Sequence, residues 1–335
     1  MQNIKKWYVD FLEKEHRTFF GFLFEYFLKF LSLFYGIAVE IRNLCYDSGM
    51  APVVSCTRPI ISVGNLSWAG SGKTTMAFYL YQKLSPSKRV AVLRRGYGAD
   101  EGKMLTELTP HVFSLPDRAR LATSHARSFD LFILDDGFQY RRLQRKLDIV
   151  IMGAREFKKQ YWLLPAYIFR EPLESLRRAD ILILNYKDEL SEPYLLKRKL
   201  AARFPLLKIY FAKYICKSFT DFSGNEVSLD YLKTRNLAAL AGIGYPQGFL
   251  KKLRDAGLNI KKELIYPDHY ELTASEFFGL QVDLKDQGIE DIIITHKDKY
   301  HLPKCEIKLN VYILNIAMEI EDENDFLENV KKRLA

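Results

Sequence analysis

The sequence predicts an α/β protein: a parallel sheet flanked by helices, a smaller C-terminal α/β domain, and an apolar helix ahead of both. Three observations carry this. Five aliphatic or β-branched runs recur between turn and helix signals, as buried parallel strands do: PIISVGN (59–65), RVAVLRRG (89–96), DLFILDDG (130–137), LDIVIMG (147–153) and ADILILN, ending at Asn185. A glycine-bearing bend joins the first run to the helix-like KTTMAFYLYQKL. After Pro205 the alternation resumes with LLKIYFAKYI, NLAALAGIG, DIIITHKD and NVYILNI around the helical QGFLKKLRDAG. With 335 residues, 48% hydrophobic and 27% charged, the chain can fill one large or two smaller cores, which excludes a disordered or fibrous protein.

In chain order, the first element is TFFGFLFEYFLKFLSLFYGIAVEI, Thr18 to Ile41, nearly all apolar and long enough to span a bilayer. Glu25 and Lys29 interrupt it at i,i+4 spacing, which puts a polar stripe on one helical face. That pattern predicts a monotopic helix lying in a membrane interface; a buried core helix and a full span are the other readings. Glu13 and Glu15 precede the segment and no small-residue cleavage site follows it, which argues against a cleaved signal. The expected division is a membrane-interface region over 1–41, a core over 42–208 and the smaller domain over 209–335. No Gly/Ser-rich linker marks the second boundary, and no repeat or low-complexity tract occurs.

A net charge of +9 favours an anionic partner, whether nucleic acid, phospholipid or a phosphorylated substrate. No RNP, KH or helix-turn-helix signature supports the first of these, so no nucleic acid is expected. No obligate protein partner is inferred. Cys45, Cys56, Cys216 and Cys305 lack C-x-x-C spacing, so neither a zinc site nor a disulfide framework is indicated, and a reducing compartment is the simplest reading.

The bend itself reads Ser67-Trp68-Ala69-Gly70-Ser71-Gly72-Lys73-Thr74-Thr75, in the order strand, glycine loop, helix. Converging backbone amides there would cradle phosphate oxygens, with Lys73 on the β- and γ-phosphates of ATP and the Thr74 hydroxyl on Mg²⁺. Ser67 stands where the usual G-x-x-x-x-G-K-[ST] pattern has its first glycine. LFILDDGFQ supplies the complementary feature, Asp135 and Asp136 at the end of a hydrophobic strand, where carboxylates can hold Mg²⁺ opposite the loop. Gln139 is a candidate to orient metal or water. Together these features predict a P-loop NTPase-like core.

SVGNLSWAGSGKTT, RRGYG, LDDGFQYRRLQRKLDIV, LLPAYIFREPLESLRRAD, AGIGYPQGFL and YPDHY, in that order, resemble the tetraacyldisaccharide 4′-kinases, the lipid A 4′-kinases of Gram-negative bacteria. The resemblance spans roughly residues 15 to 300. It implies ATP- and Mg²⁺-dependent phosphorylation of the 4′-hydroxyl of an acylated disaccharide 1-phosphate lipid, at the cytoplasmic face of the inner membrane. An anionic membrane surface is then a partner, met by the apolar helix and by cations. Arg95, Arg170 and Glu171, in or beside family motifs, are implied as substrate or phosphate contacts.

In similar kinases the base is a carboxylate of a G-D-E-P motif oriented by the His of a D-H-[HY] motif. YPDHY keeps Asp268 and His269, while the first motif reads SLPDRARLA, which makes Asp117 the candidate base. Arg94-Arg95-Gly96-Tyr97-Gly98 departs from S-R-G-Y-G, and Thr295-His296-Lys297-Asp298 from T-E-K-D, which raises the prospect of altered substrate or activity. Two rival functions are a P-loop GTPase or metallochaperone-type NTPase, from the loose guanine-reading echo at Asn185-Tyr186-Lys187-Asp188, and a catalytically inactive membrane-associated scaffold.

Overall fold

The computed structural model describes residues 18–68, 71–96, 102, 105–107, 109–158, 162–186, 193–268 and 270–334. Helix α1 (Phe19–Asp47) opens on Thr18, whose side chain accepts from the Gly21 amide, and runs six residues beyond the apolar segment. One face meets the protein through Leu28, Ser32 and Val39; on the other, Phe20, Tyr26, Phe27, Phe30, Phe34 and Ile37 are each more than half exposed. Glu25 and Lys29 form the expected pair at 3.0 Å.

All five anticipated strands form. β1 (Ile60–Gly64), β2 (Val90–Arg94), a short β3 (Val112–Ser114), β4 (Leu131–Asp135), β5 (Leu147–Gly153) and β6 (Ile181–Asn185) run parallel in the order β6-β5-β1-β4-β2-β3. Their near-continuous aliphatic character follows from coverage on both faces. Helix α2 (Lys73–Leu84) follows β1, and α3 (Arg118–Ser124) follows β3. On one face, Met76, Ala77, Leu80 and Leu84 of α2 pack on Ile61 and Ile133.

After α4 (Pro193–Arg203), the long β7 (Lys208–Asp221) changes partner partway. Its first residues, Lys208 to Ala212, pair parallel with β6, and the remainder pairs antiparallel with β12 (Asn310–Ile320). The short β8 (Glu226–Val227) pairs with β7. Beyond it come α5 (Leu229–Lys233), β9 (Leu237–Ala241), α6 (Pro246–Asp255), β10 (Ile260–Ile265), α7 (Ala274–Asp286) and β11 (Asp291–Thr295). Among the described residues one twelve-stranded sheet results, its far half ordered β10-β9-β11-β12-β7.

The last helix, α8 (Glu323–Leu334), turns back: Phe326 and Val330, spaced i,i+4, are buried in the α2 side of the first core. Residues 209–335 thus build two cores of their own, around α6 and α7, and add residues to two others shared with the first half. Truncating Phe326 to alanine would cost about 3–5 kcal/mol. For the site, the consequential feature is that β1 and β4 are parallel neighbours, with Val63 beside Asp135, so their C-terminal ends open side by side.

Candidate functional site

At the end of β1, Gly64 passes so close to the 137–139 turn that a Cβ there would stand 2.5 Å from Phe138 Cβ. Only glycine lets the strand end approach this closely. Asn65, fully buried, then organises the bend: its Nδ2 donates to Ser71 Oγ at 2.9 Å and to Ser67 Oγ at 3.3 Å, and its carbonyl accepts Gln139 Nε2 at 2.9 Å. The Trp68 amide donates to Ile168 O at 2.8 Å. Ala69 and Gly70 lie outside the described residues.

Gly72 is left-handed at φ +98 and caps α2 with no side-chain bond, which leaves the first helical amides available to an anion. The Asn185 amide donates to Ser71 O at 3.2 Å. Burial pushes the Tyr214 hydroxyl up to about 12 despite its hydrogen bonds with Thr75 and Asn185, so this β7 residue is a neutral support under the bend.

Across from the bend, Asp135 Oδ2 accepts from Thr74 Oγ1 at 3.4 Å. Asp136 is left-handed at φ +51, a conformation aspartate tolerates better than most residues. Its carboxylate meets Arg170 Nη2 at 2.8 Å and Nη1 at 3.1 Å, and Lys73 Nζ at 3.9 Å. Burial pushes this carboxyl up, but the Arg170 hydrogen bonds and the charges of Arg170, Lys73 and Arg118 outweigh it and hold it below the usual carboxylate range. Arg170 also bonds Asn65 Oδ1, which joins the aspartate to the bend.

Behind Asp136, the buried Arg118 donates from Nη1 to the Asp135 carbonyl at 3.3 Å and the Asp136 carbonyl at 3.1 Å. Its guanidinium stacks 4.1 Å from the centre of the Tyr140 ring. Lys73, Arg170 and Arg118 against two aspartates leave the cluster net positive, which suits a polyphosphate. Gln139 Oε1 is buried without a partner among the described residues. Thr74 Oγ1, two carboxylates and this amide oxygen form a hard-oxygen donor set. It fits a divalent cation whose shell is completed by phosphates and water rather than by protein alone.

The other expected site residues stand differently. Asp117 caps α3, accepting from the Arg120 amide at 3.2 Å, and also bonds the Tyr140 hydroxyl at 3.2 Å and Arg142 at 3.4 Å. The Arg120 amide, with Tyr140 and Arg142, holds its carboxyl below the ordinary range. Asp268 pairs with Lys297 at 3.0 Å, near Gly244. His269 lies outside the described residues. Arg95 is exposed, and its charge reaches Arg118.

Glu171 requires a correction: its side chain is wholly buried, between Arg42 at 2.9 Å and Arg178 at 2.7 Å, so it is an internal counter-ion rather than a contact for substrate phosphate. Asn65, Arg118 and Tyr214 were not anticipated as site residues, and Asn185 was singled out only within the guanine-reading echo. Asn65 lies inside the quoted SVGN motif and could have been; the other three act through contacts remote in sequence.

A profile described as Tetraacyldisaccharide-1-P 4'-kinase matches residues 24–112 and 99–335. Tetraacyldisaccharide 4'-kinase of Aquifex aeolicus is 34% identical over 327 residues, covering 90% of this chain and 95% of that protein. The Porphyromonas gingivalis protein of the same name is 31% identical over 309 residues, covering 82% and 85%. The crystal structure of LpxK from Aquifex aeolicus in complex with ATP superposes with a TM-score of 0.73 at 30% identity, covering 91% of this chain and 98% of that one. A family profile over most of the chain, relatives above 30% identity covered almost end to end, and the superposed structure place the chain in the tetraacyldisaccharide 4′-kinase family.

Proposed function

We propose that this protein transfers the γ-phosphate of ATP to the 4′-hydroxyl of a tetraacyldisaccharide 1-phosphate, a step of lipid A biosynthesis, at the cytoplasmic face of a bacterial inner membrane. The observation that carries the reading is the Lys73–Asp136–Arg170 cluster at the paired ends of β1 and β4, beside uncapped helix amides. Phosphoryl transfer needs positioning and charge stabilisation more than covalent chemistry. Lys73 and the α2 amides neutralise the β- and γ-phosphates. Thr74, Asp135 and Asp136 would hold Mg²⁺, with Gln139 accepting from one of its waters, and the bound ion neutralises charge on the phosphate oxygens.

Arg118 fixes the backbone that aims both carboxylates. Arg118→Met is expected to raise the Mg²⁺ concentration needed for half-maximal turnover by about ten- to a hundredfold, read by metal titration at fixed ATP. The 4′-hydroxyl proton goes to the Asp268–His269 pair in this reading, because the Arg120 amide, Tyr140 and Arg142 make Asp117 a weaker base than an ordinary carboxylate. Asp268→Asn should therefore lower turnover more than Asp117→Asn; the reverse order would return the role to Asp117.

Helix α1 supports residence on an anionic membrane surface. At about 1.5 Å per residue it is long enough to cross, yet contacts with the protein recur along it at Leu28, Ser32, Tyr35, Val39 and Arg42, which favours lying along the body over spanning. Replacing exposed Phe27 and Phe34 together by glutamate should weaken vesicle binding by at least about a hundredfold, since each buried Phe contributes about 1.5–3 kcal/mol. Co-flotation with phosphatidylglycerol vesicles measures it.

The reaction is tested with γ-labelled ATP, Mg²⁺ and the disaccharide 1-phosphate lipid; a bis-phosphorylated lipid on chromatography is expected, and its absence rejects the assignment. A guanine-reading GTPase is not favoured, since the Asn185 amide is buried against the phosphate bend; Lys187 and Asp188 lie outside the described residues. Nor is an inactive scaffold favoured, since Lys73, Thr74, Asp135 and Asp136 are all retained.

A further inference from the structure

The inner face of α1 is tied to the loop that carries Arg170. Ser32 Oγ donates to Leu163 O at 2.8 Å, and the Tyr35 hydroxyl donates to Arg170 O at 3.1 Å. Arg42 Nη2 donates to Glu171 Oε1 at 2.9 Å, while Asn43 Nδ2 reaches Oε2 at 3.3 Å. Glu171 is completely buried, and Arg178 holds Oε2 from the other side at 2.7 Å. The adjacent Arg170 grips Asp136 through both terminal nitrogens and is fixed to the phosphate bend by its own amide, 2.7 Å from Leu66 O. From helix to aspartate the path is therefore one ion pair, one peptide unit and one bidentate contact. The opposite face of the same helix is apolar and exposed at Phe27, Phe30, Phe34, Ile37 and Ile41.

We propose that Glu171 is a positioning residue that ties the seat of α1 to the Arg170–Asp136 pair, so that docking of the exposed helix face on a phospholipid surface speeds phosphoryl transfer itself. This goes beyond concentrating enzyme with substrate, and it rests on the interfacial reading of α1. In water the helix is held on one face only, and its rocking reaches Arg170 through Glu171. A surface that immobilises the helix enriches the state in which the guanidinium is already set against Asp136. Buried ion pairs suit such a linkage because loss of one partner strands the other, so the two arrangements differ sharply in energy.

A water-soluble disaccharide 1-phosphate with short acyl chains, which stays out of vesicles, separates the two effects. With it, phosphatidylglycerol–phosphatidylcholine vesicles should raise kcat of the full-length protein by about fivefold or more, the lower end of usual coupling, with KM for ATP unchanged. Arg42→Met should float with vesicles as the unaltered protein does and keep its vesicle-free kcat, yet lose the stimulation. Tyr35→Phe, which cuts the second thread without touching a charge, should lose part of it. Glu171→Gln should hold kcat on vesicles at the vesicle-free value; if it fails to fold, the other two variants carry the test. Unaltered protein that floats but is not stimulated, or Arg42→Met that is stimulated in full, overturns the coupling. Unaltered protein that does not float overturns the interfacial reading of α1, and the coupling with it.

Discussion

Asp136→Asn is expected to lower turnover by about two to three orders of magnitude, the usual cost of removing one preorganised electrostatic group from a reacting centre. Asparagine is close in size and tolerates the left-handed backbone at φ +51, so the substitution removes charge while leaving the turn in place. Arg170 and Lys73 then lose the carboxylate that fixes them at 2.8 and 3.9 Å, and the proposed Mg²⁺ site would lose one of its ligands. ATP affinity measured without metal should not fall, because a negative charge beside the triphosphate has been deleted. Lys73→Ala should show a comparable loss of turnover with weaker ATP binding. Near-normal turnover in either variant would reject the cluster as the phosphoryl-transfer site.

The same carboxylate gives a stability signature. Its folded-state pKa lies below the unfolded value, so its contribution is fully present above the ordinary carboxylate range and is lost as pH falls through the lowered value. Asp136→Asn should therefore flatten the acid limb of the melting-temperature profile below about pH 4 and leave its shape near neutrality unchanged.

The second large effect is expected at Gly72. An alanine there adds a Cβ 1.6 Å from the Tyr214 hydroxyl and 2.9 Å from Tyr214 Cζ, on a backbone at φ +98 that L-residues rarely adopt. Tyr214 does not yield freely, since its hydroxyl is bonded to Thr75 and Asn185 under the bend. Overpacking of about 1–3 kcal/mol adds to about 1–2 kcal/mol of backbone strain, enough to lower Tm by several degrees and to abolish ATP binding, both readable in one thermal-shift titration with nucleotide. Adding Tyr214→Phe to Gly72→Ala should recover part of the melting temperature by removing the nearest atom, but not the part due to φ. Full recovery would show that strain at Gly72 contributes nothing.

Much of the site was legible because its chemistry is local. The bend from Ser67 to Thr75 and the Asp135-Asp136 step each occupy a few consecutive residues, and the aliphatic runs on either side could only be buried strands. Helix α1 was legible for the same reason, from length and from the single Glu25–Lys29 stripe. Arg170 was reached only through its motif, and Glu171 was assigned to the wrong environment: neighbours in sequence, they face opposite ways, one to the cleft and one to the interior. Asp117 was the candidate base from its motif, and its oxygens accept from a helix-cap amide and two side chains that no local pattern indicates.

The sequence by itself determined the strands, the phosphate bend, the acidic strand end and the apolar face of α1, since each depends on periodicity or spacing within one segment. Only the tertiary structure decided that β7 serves both halves of the sheet, that Arg118 and Tyr214 support the site from behind, and that Arg42 and Arg178 enclose Glu171. Those features depend on contacts that no single segment contains, from Arg118 and Asp135, 17 positions apart, to Arg42 and Glu171, 129 apart, and Gly72 and Tyr214, 142 apart, and such meetings are selected by the free energy of the whole packed core rather than by any local pattern.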